Sequence, residues 1–451
     1  MQYVVVGAGP AGVIAAETLR KTDPDSQVTL IGDEPEPPYS RMAIPYYLVE
    51  KVGEAGTYLR KSDSHYQDLG IAVREDRVER IDPEARELTL RSGDKLSYDE
   101  LLIATGSRAI RPPIPGIDSP GVHTCWTLDD ARHILDLAKP EAKVLLIGAG
   151  FIGCIVLESL ALRGVDLTVV ETGDRMVPRM MDPVAGGLLK AWCERKGVKV
   201  HTSTSVTAID RRGNESETSS KGAGGGIMAF FTRLTGGGEK PAAPPARAAA
   251  HALRVSLSNG EQLEADLVIS AAGVKPNLEL LEGTGVDTDS GILVDEHFCS
   301  NVAHIYAAGD VAQGRDFSTG GFEVHAIQPT ASEHGRIAAL NMSGHETRYQ
   351  GSLNMNVLDT LGLISSSFGL WMGVEDGEKA ELCDPENFRY IALQFKDDKL
   401  VGAQSLGLTQ HVGVLRGLIQ GETPLGEWKQ KLQQDPTRVM EAYLQRKLAY
   451  Q

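Results

Sequence analysis

Cysteine is scarce and scattered. Five occur in 451 residues, at positions 125, 154, 193, 299 and 383, and no two form a CxxC or CxxxxC pair. That absence argues against zinc sites, iron–sulfur clusters and a sequence-local redox disulfide, so no metal ligands are assigned. It also fits a reducing cytosol. No apolar run reaches the roughly 18 residues that a membrane-spanning helix needs. Met1 leads within two residues into a buried-strand pattern, so the expectation is a cytoplasmic chain without a signal peptide. Positive charge is short as well: 45 Lys and Arg against 61 Asp and Glu leave a formal net charge of −16. This balance argues against nucleic acid as a partner, and an acidic protein carrier would need a local basic patch to receive it. At about 150 residues per domain, the length suggests three domains.

Glycine is placed with a clear pattern. In "YVVVGAGPAGVIAAETLR" a buried-strand run, Tyr3–Val6, is followed by Gly7, Gly9 and Gly12 and then a helix with an Ala-rich face. The three glycines permit a tight turn, close approach of backbone to a pyrophosphate, and close packing of helix on strand. Pro10 and Ala11 lie at the helix N-terminus, which favours phosphate charge. A second strand, "QVTLIGDE", ends at Asp33 or Glu34, either of which could take a ribose hydroxyl. The pattern recurs in "AKVLLIGAGFIGCIVLESLALRGVDLTVVET" with Gly148, Gly150 and Gly153, with Phe151 and Ile152 between them. Its next strand ends at Glu171. A carboxylate there accepts ribose hydroxyls and repels a 2′-phosphate, which favours NADH over NADPH. Two cradles about 140 residues apart imply two dinucleotides, and a nicotinamide with a flavin is the natural pair.

Three more strand ends follow: "LLIATGSRAIRPPIPG" (101–116), "LVISAAGVKPN" (267–277) and "HIYAAGDVA" (304–312), with a small-residue helix in "ASEHGRIAALNMSG" (331–344). With the two cradles, these resemble the FAD- and NAD(P)-dependent pyridine nucleotide oxidoreductases over residues 1 to about 345. The resemblance implies FAD in the first cradle and NADH in the second. For FAD it implies roles for Ala104, Thr105, Gly106, Gly309 and Asp310, with Asp310 on the ribityl chain and Arg41 reaching the pyrophosphate. It also implies a helix beginning near His325 and Ala326, aimed at the flavin ring. For NAD it adds Ala272 and Gly273. The tail, 345–451, is similar to the C-terminal domain of NADH:rubredoxin reductases and of the flavin part of nitrite reductases.

The expected architecture is therefore α/β: two Rossmann-like dinucleotide-binding domains plus a C-terminal α+β interface domain. The FAD domain would be discontinuous (1–115 and 277–344), the NAD domain would span 116–276, and 345–451 would form the interface and, by analogy, a homodimer. "MAIPYYL" resembles the "CGLPYYI"-type segment of single-cysteine relatives, with Met42 at the cysteine's place. A thioether cannot become a thiolate or sulfenate, so thiol-relay chemistry is lost there. The lysine and glutamate of ferredoxin-reductase relatives are replaced by Tyr46 and Ile155. Tyr46 is read either as bordering the nicotinamide entrance or as core packing. The expected function is an oxidoreductase passing electrons from NADH through FAD to a rubredoxin- or ferredoxin-like protein or a larger complex. The alternative is an NADH oxidase or sulfur-compound reductase with a small acceptor. Residues 212–251 are Gly/Ser/Pro/Ala-rich around an apolar knot at 227–234. This insertion reads either as a tethered docking segment for a partner or a membrane surface, or as a loop whose knot folds back on its own domain.

Overall fold

The computed structural model describes residues 1–211 and 253–448, with side chains to 445. The run Tyr3–Val6 is apolar at every position because it is covered on both faces, as parallel strands are. The strand Gln2–Val6 is central in a five-stranded parallel sheet, flanked by Gln27–Gly32 and Glu100–Ile103. Ile71–Glu75 and Ile305–Ala307 close the two edges. The last of these strands lies some 200 residues beyond its neighbour in the chain, so the polypeptide leaves this sheet, builds a second one and returns. The second sheet is also parallel and five-stranded, in the order 199–201, 166–170, 143–147, 267–270, 122–124. In both sheets the Gly-rich turn leaves the strand where the order reverses, which is where open α/β sheets form ligand crevices.

The two crossings between the sheets meet as an antiparallel ribbon, Ser107–Ala109 with Val274–Pro276. The hairpin read around Asn259–Gly260 is present: Leu253–Leu257 pairs with Gln262–Ala265, and Gly260 has φ +88°. Arg211 pairs with Leu253, so the insertion emerges from a strand pair. Residues 212–251, including the proposed docking knot at 227–234, lie outside the described residues.

After residue 345 comes a five-stranded antiparallel sheet with the helices Val412–Gln420, Glu427–Gln434 and Val439–Leu448. Its junction with the second unit is apolar, with Leu358, Leu363, Ala392 and Leu406 buried in the same core as Leu157 and Leu189, and carries one polar cluster. The Asp182 carboxylate caps the helix Pro183–Arg195 through Ala185 N–H at 2.9 Å. The same carboxylate accepts from Tyr390 OH and from Gln404 Nε2 at 2.9 Å.

The small-residue helix runs Gln328–Met342, not from His325. Pro329 is the physical reason: with no N–H to give, proline is tolerated only in a helix's first turn, and Ile327 is extended (φ −132°, ψ 143°). This helix crosses the first Gly-rich helix, Pro10–Thr22, at close range. A Cβ on Gly335 would lie 2.1 Å from Ala11 O. On the same helix His334 is 1% exposed and bonds Ser352 Oγ through Nε2 at 3.0 Å, against the rings of Phe298 and Tyr349. Burial, and then the charge of His325, push its pKa down to about 3. The folded state thus holds His334 neutral, whereas the unfolded chain takes up its proton near pH 6.5. This contribution is complete above that value and is lost as pH falls toward 3. Thermal unfolding should show wild type losing about 2 kcal/mol between pH 6.5 and 5 through this group, and His334→Gln losing correspondingly less. Equal acid sensitivity in both would refute the assignment.

Candidate functional site

A cavity opens at the carboxyl edge of the first sheet and has a volume of about 740 Å³, within the range of cofactor pockets. Gly7, Gly9, Pro10 and Ala11 form its floor. Of the acids proposed at the strand end, both Asp33 and Glu34 line it. Glu34 is already engaged, accepting from Tyr39 OH and pairing with Arg41 at 2.6 Å. Arg41 also lies over the Trp126 ring, 5.2 Å from its centroid. Ala104, Thr105, Gly106, Gly309 and Asp310 line the opposite wall. Ser107 Oγ donates to Asp310 at 2.8 Å, and burial raises the Asp310 carboxyl above its usual range against that bond and the Arg41 charge.

The three glycines of each cradle are required for different reasons. Gly7 has φ +117°, and a Cβ there would lie 2.1 Å from Ala104 O. A Cβ on Gly12 would lie 1.9 Å from Gly7 O. These two are needed by the protein's own backbone. Gly9 has ordinary extended geometry (φ −79°, ψ −176°), and a Cβ would meet no protein atom within 4 Å. Its smallness serves something outside the polypeptide. The second cradle repeats the pattern: Gly148 would meet Ala271 O at 2.6 Å, Gly153 would meet Gly148 O at 2.1 Å, and Gly150 would meet nothing. The residues present therefore fit two pyrophosphates approaching two helix N-termini.

Glu171 stands beside the second cradle, 7% exposed. Ala149 N–H donates to one of its oxygens at 2.6 Å and Gly173 N–H to the other at 2.7 Å, which fixes the carboxylate at the strand end. Phe151 and Ile152, the first residues of the second Gly-rich helix, line the cavity of the first cradle. The fold thus brings the start of the second cradle's helix onto the space of the first cradle. Gly12, Gly148, Gly150, Gly153, Glu171, Ala272 and Gly273 do not line that space; the first packs beneath it and the others belong to the second cradle and its neighbouring strand end.

His325 is a correction. Ala326 lines the cavity but His325 does not; it is buried with Nε2 3.1 Å from Asp316. The helix start that was to carry it lies at Gln328, which does line the cavity. Asp316, Glu323 and His325 place one ligand-type atom each within 4.8 Å of one another, a grouping that spacing alone does not reveal. Asp316 Oδ1 is already occupied by the N–H groups of Ser318 and Thr319. Tyr46 is 55% exposed, which removes the core-packing alternative, while Ile155 lines the cavity. Sequence reasoning missed Cys125 and Trp126, and also Met355, Asn356 and Val357, by which the C-terminal unit reaches the same cavity.

The family model of the pyridine nucleotide-disulphide oxidoreductases matches residues 1–335. Subunit epsilon of NADH-dependent phenylglyoxylate dehydrogenase from Aromatoleum evansii is 28% identical over 441 residues, covering 97% of this chain and 96% of its own. Rhodocoxin reductase of Rhodococcus erythropolis is 30% identical over 352 residues, covering 78% and 74%. Among solved structures, a ferredoxin reductase from Rhodopseudomonas palustris superposes with a TM-score of 0.76 at 27% identity, covering 91% of this chain and 92% of that one.

Proposed function

The chain belongs to the pyridine nucleotide-disulphide oxidoreductase family and is an FAD-dependent NAD(P)H oxidoreductase; on that premise we propose that NADH is its donor and a redox protein its acceptor. The observation that carries this reading is the shared cavity, where the helix start of the second cradle borders the space of the first. FAD would be held by Gly7–Gly12, by Asp33 or Glu34, by Arg41, and by Ala104–Gly106, Gly309 and Asp310. NADH would be held by Gly148–Gly153, Glu171, Ala272 and Gly273. Bound there, a flavin supplies hydride acceptance and one-electron release. The protein contributes position and exclusion of water. Phe151, Ile152, Ile155 and Val156 make one wall apolar, and Glu171 sets a fixed negative charge where a 2′-phosphate would lie. At Met42 the wall carries a thioether, so a thiol substrate finds no partner there.

A relative covered nearly end to end is named as one subunit of an NADH-dependent dehydrogenase, which supports a partner subunit or carrier as acceptor. No helix among the described residues is long and apolar enough to cross a membrane. With ferricyanide as acceptor, kcat/KM for NADH should exceed that for NADPH by at least about tenfold, near 1.4 kcal/mol. Glu171→Ala should narrow that ratio. Ferricyanide turnover should likewise exceed turnover with dioxygen by at least about tenfold. Equal use of the two nucleotides, or dioxygen as the faster acceptor, would sink the corresponding half of the proposal.

A further inference from the structure

Trp126 lines a second cavity as well as the first, with a volume of about 410 Å³. Three cations converge on it: Arg108 and Lys275 from the crossing ribbon, and Arg111 just beyond its end. In a chain with net charge −16 this is a local reversal of sign. The lone carboxylate in the lining, Asp130, is turned into the backbone. Its Oδ2 accepts from Thr124 Oγ1 at 2.8 Å, Trp126 N–H at 2.9 Å and Thr127 N–H at 3.1 Å. Arg111 is the loosely held cation: its partner Asp118 is 80% exposed, and an exposed pair of this kind is weak and exchanges readily for a better anion. Arg108 is held in place, with two bonds to Glu279 and one to Asn277 Oδ1 at 2.7 Å. Lys275 is exposed, and its charge acts on the same Glu279 carboxylate.

We propose that this cavity binds a phosphorylated small molecule of mononucleotide size. Its phosphate would sit on Lys275, Arg111 and Arg108, and its organic part against Trp126 and Thr127. Guanidinium groups match phosphate oxygens in fork geometry, and a lysine adds a mobile point charge. The volume falls in the range of small-molecule sites, and a lining that is mostly charged and polar around one aromatic wall suits a phosphorylated occupant.

The site has no nucleophile or general base positioned for chemistry, so its role is regulatory. Its walls come from different parts of the fold: the ribbon joining the two sheets, and the segment Thr124–Thr127 at the carboxyl edge of the second sheet. An occupant ties these together. Trp126 then carries the effect into the first cavity, where it lies under Arg41 and its Nε1 donates at 3.0 Å to the carbonyl of Ser107, whose hydroxyl holds Asp310.

The test uses the flavin-loaded protein with saturating NAD⁺ in phosphate-free buffer, so that both Gly-rich cradles are filled. AMP, adenosine and inorganic phosphate are each titrated by calorimetry, with tryptophan fluorescence read in parallel. AMP should bind once per chain and at least about tenfold more tightly than either adenosine or phosphate. Lys275→Glu and Arg111→Glu, both at exposed positions, should each weaken AMP by about tenfold or more without changing Tm. Trp126→Phe should abolish the fluorescence response while AMP binding persists. Absence of AMP binding, or binding indifferent to both charge reversals, would overturn the site. Phosphate binding as tightly as AMP would overturn the mononucleotide and leave a bare anion site.

Discussion

Gly9→Val is expected to give a folded protein that purifies without its flavin, and Gly150→Val a yellow protein that NADH reduces at least about a hundredfold less efficiently, near 2.7 kcal/mol. Both residues have backbone angles open to any amino acid, and neither would press a Cβ against protein. The added carbons instead occupy the space where a pyrophosphate must approach the helix N-terminus. Stability has to be compared between flavin-free proteins, because a bound ligand adds stability by mass action. On that comparison Gly9→Val should lie within about 0.5 kcal/mol of wild type, as expected where no strain or cavity is created. Gly12→Ala is the contrasting variant. Its Cβ would fall 1.9 Å from Gly7 O, so the turn itself must shift and the fold should weaken whether or not flavin is present. Absorbance per protein after gel filtration, with calorimetric unfolding, reads both quantities. Stoichiometric flavin in Gly9→Val would mean that the first cradle is not where the pyrophosphate lies.

That prediction rests on what was legible before any coordinates. The cradles are local: strand, turn and helix start lie within some 20 residues, and each glycine's task follows from its neighbours. Glu171 was legible for the same reason, as the acid ending the next strand. Its clamp by Ala149 and Gly173 was not, because hydrogen-bond partners at a strand end depend on the turn's path. Elements brought in from afar escaped entirely. Cys125 and Trp126 belong to no motif, yet both line the first cavity and Trp126 also lines the second. Met355–Val357 come from the C-terminal sheet and carry no motif that would announce a cavity wall. His325 failed for a local reason: a run of small residues suggests a helix, but Pro329 sets its start, and the residues ahead of it are extended. The basic cavity is assembled from Arg108, Arg111, Thr124, Thr127 and Lys275, so the overall acidity of the chain concealed it.

Anaerobic titration of the purified holoprotein should bleach the flavin with about one NADH per FAD, since a flavin takes two electrons and the protein offers no second store. All five cysteines are free. Met42 lines the cavity with 47% exposure, and its sulfur cannot form the thiolate that disulfide exchange requires. Cys125 is the one cysteine lining the cavity among the described residues, and burial together with the Asp130 charge pushes its thiol up to about 12. It is therefore a protonated, unreactive thiol at neutral pH. Cys154 and Cys193 are buried in the core of the second unit, and burial raises both thiols as well. Consumption near two NADH per FAD would reveal a disulfide that this fold does not contain and would bring thiol substrates back. The converse variant makes the argument about the wall rather than about cysteine count. Met42→Cys, oxidised with hydrogen peroxide before titration, should raise consumption toward two. The sulfenic acid formed there takes two electrons and two protons to return to thiol and water. If the variant still consumes about one after oxidation, position 42 does not communicate with the flavin. The resemblance of "MAIPYYL" to a redox segment would then be one of sequence alone.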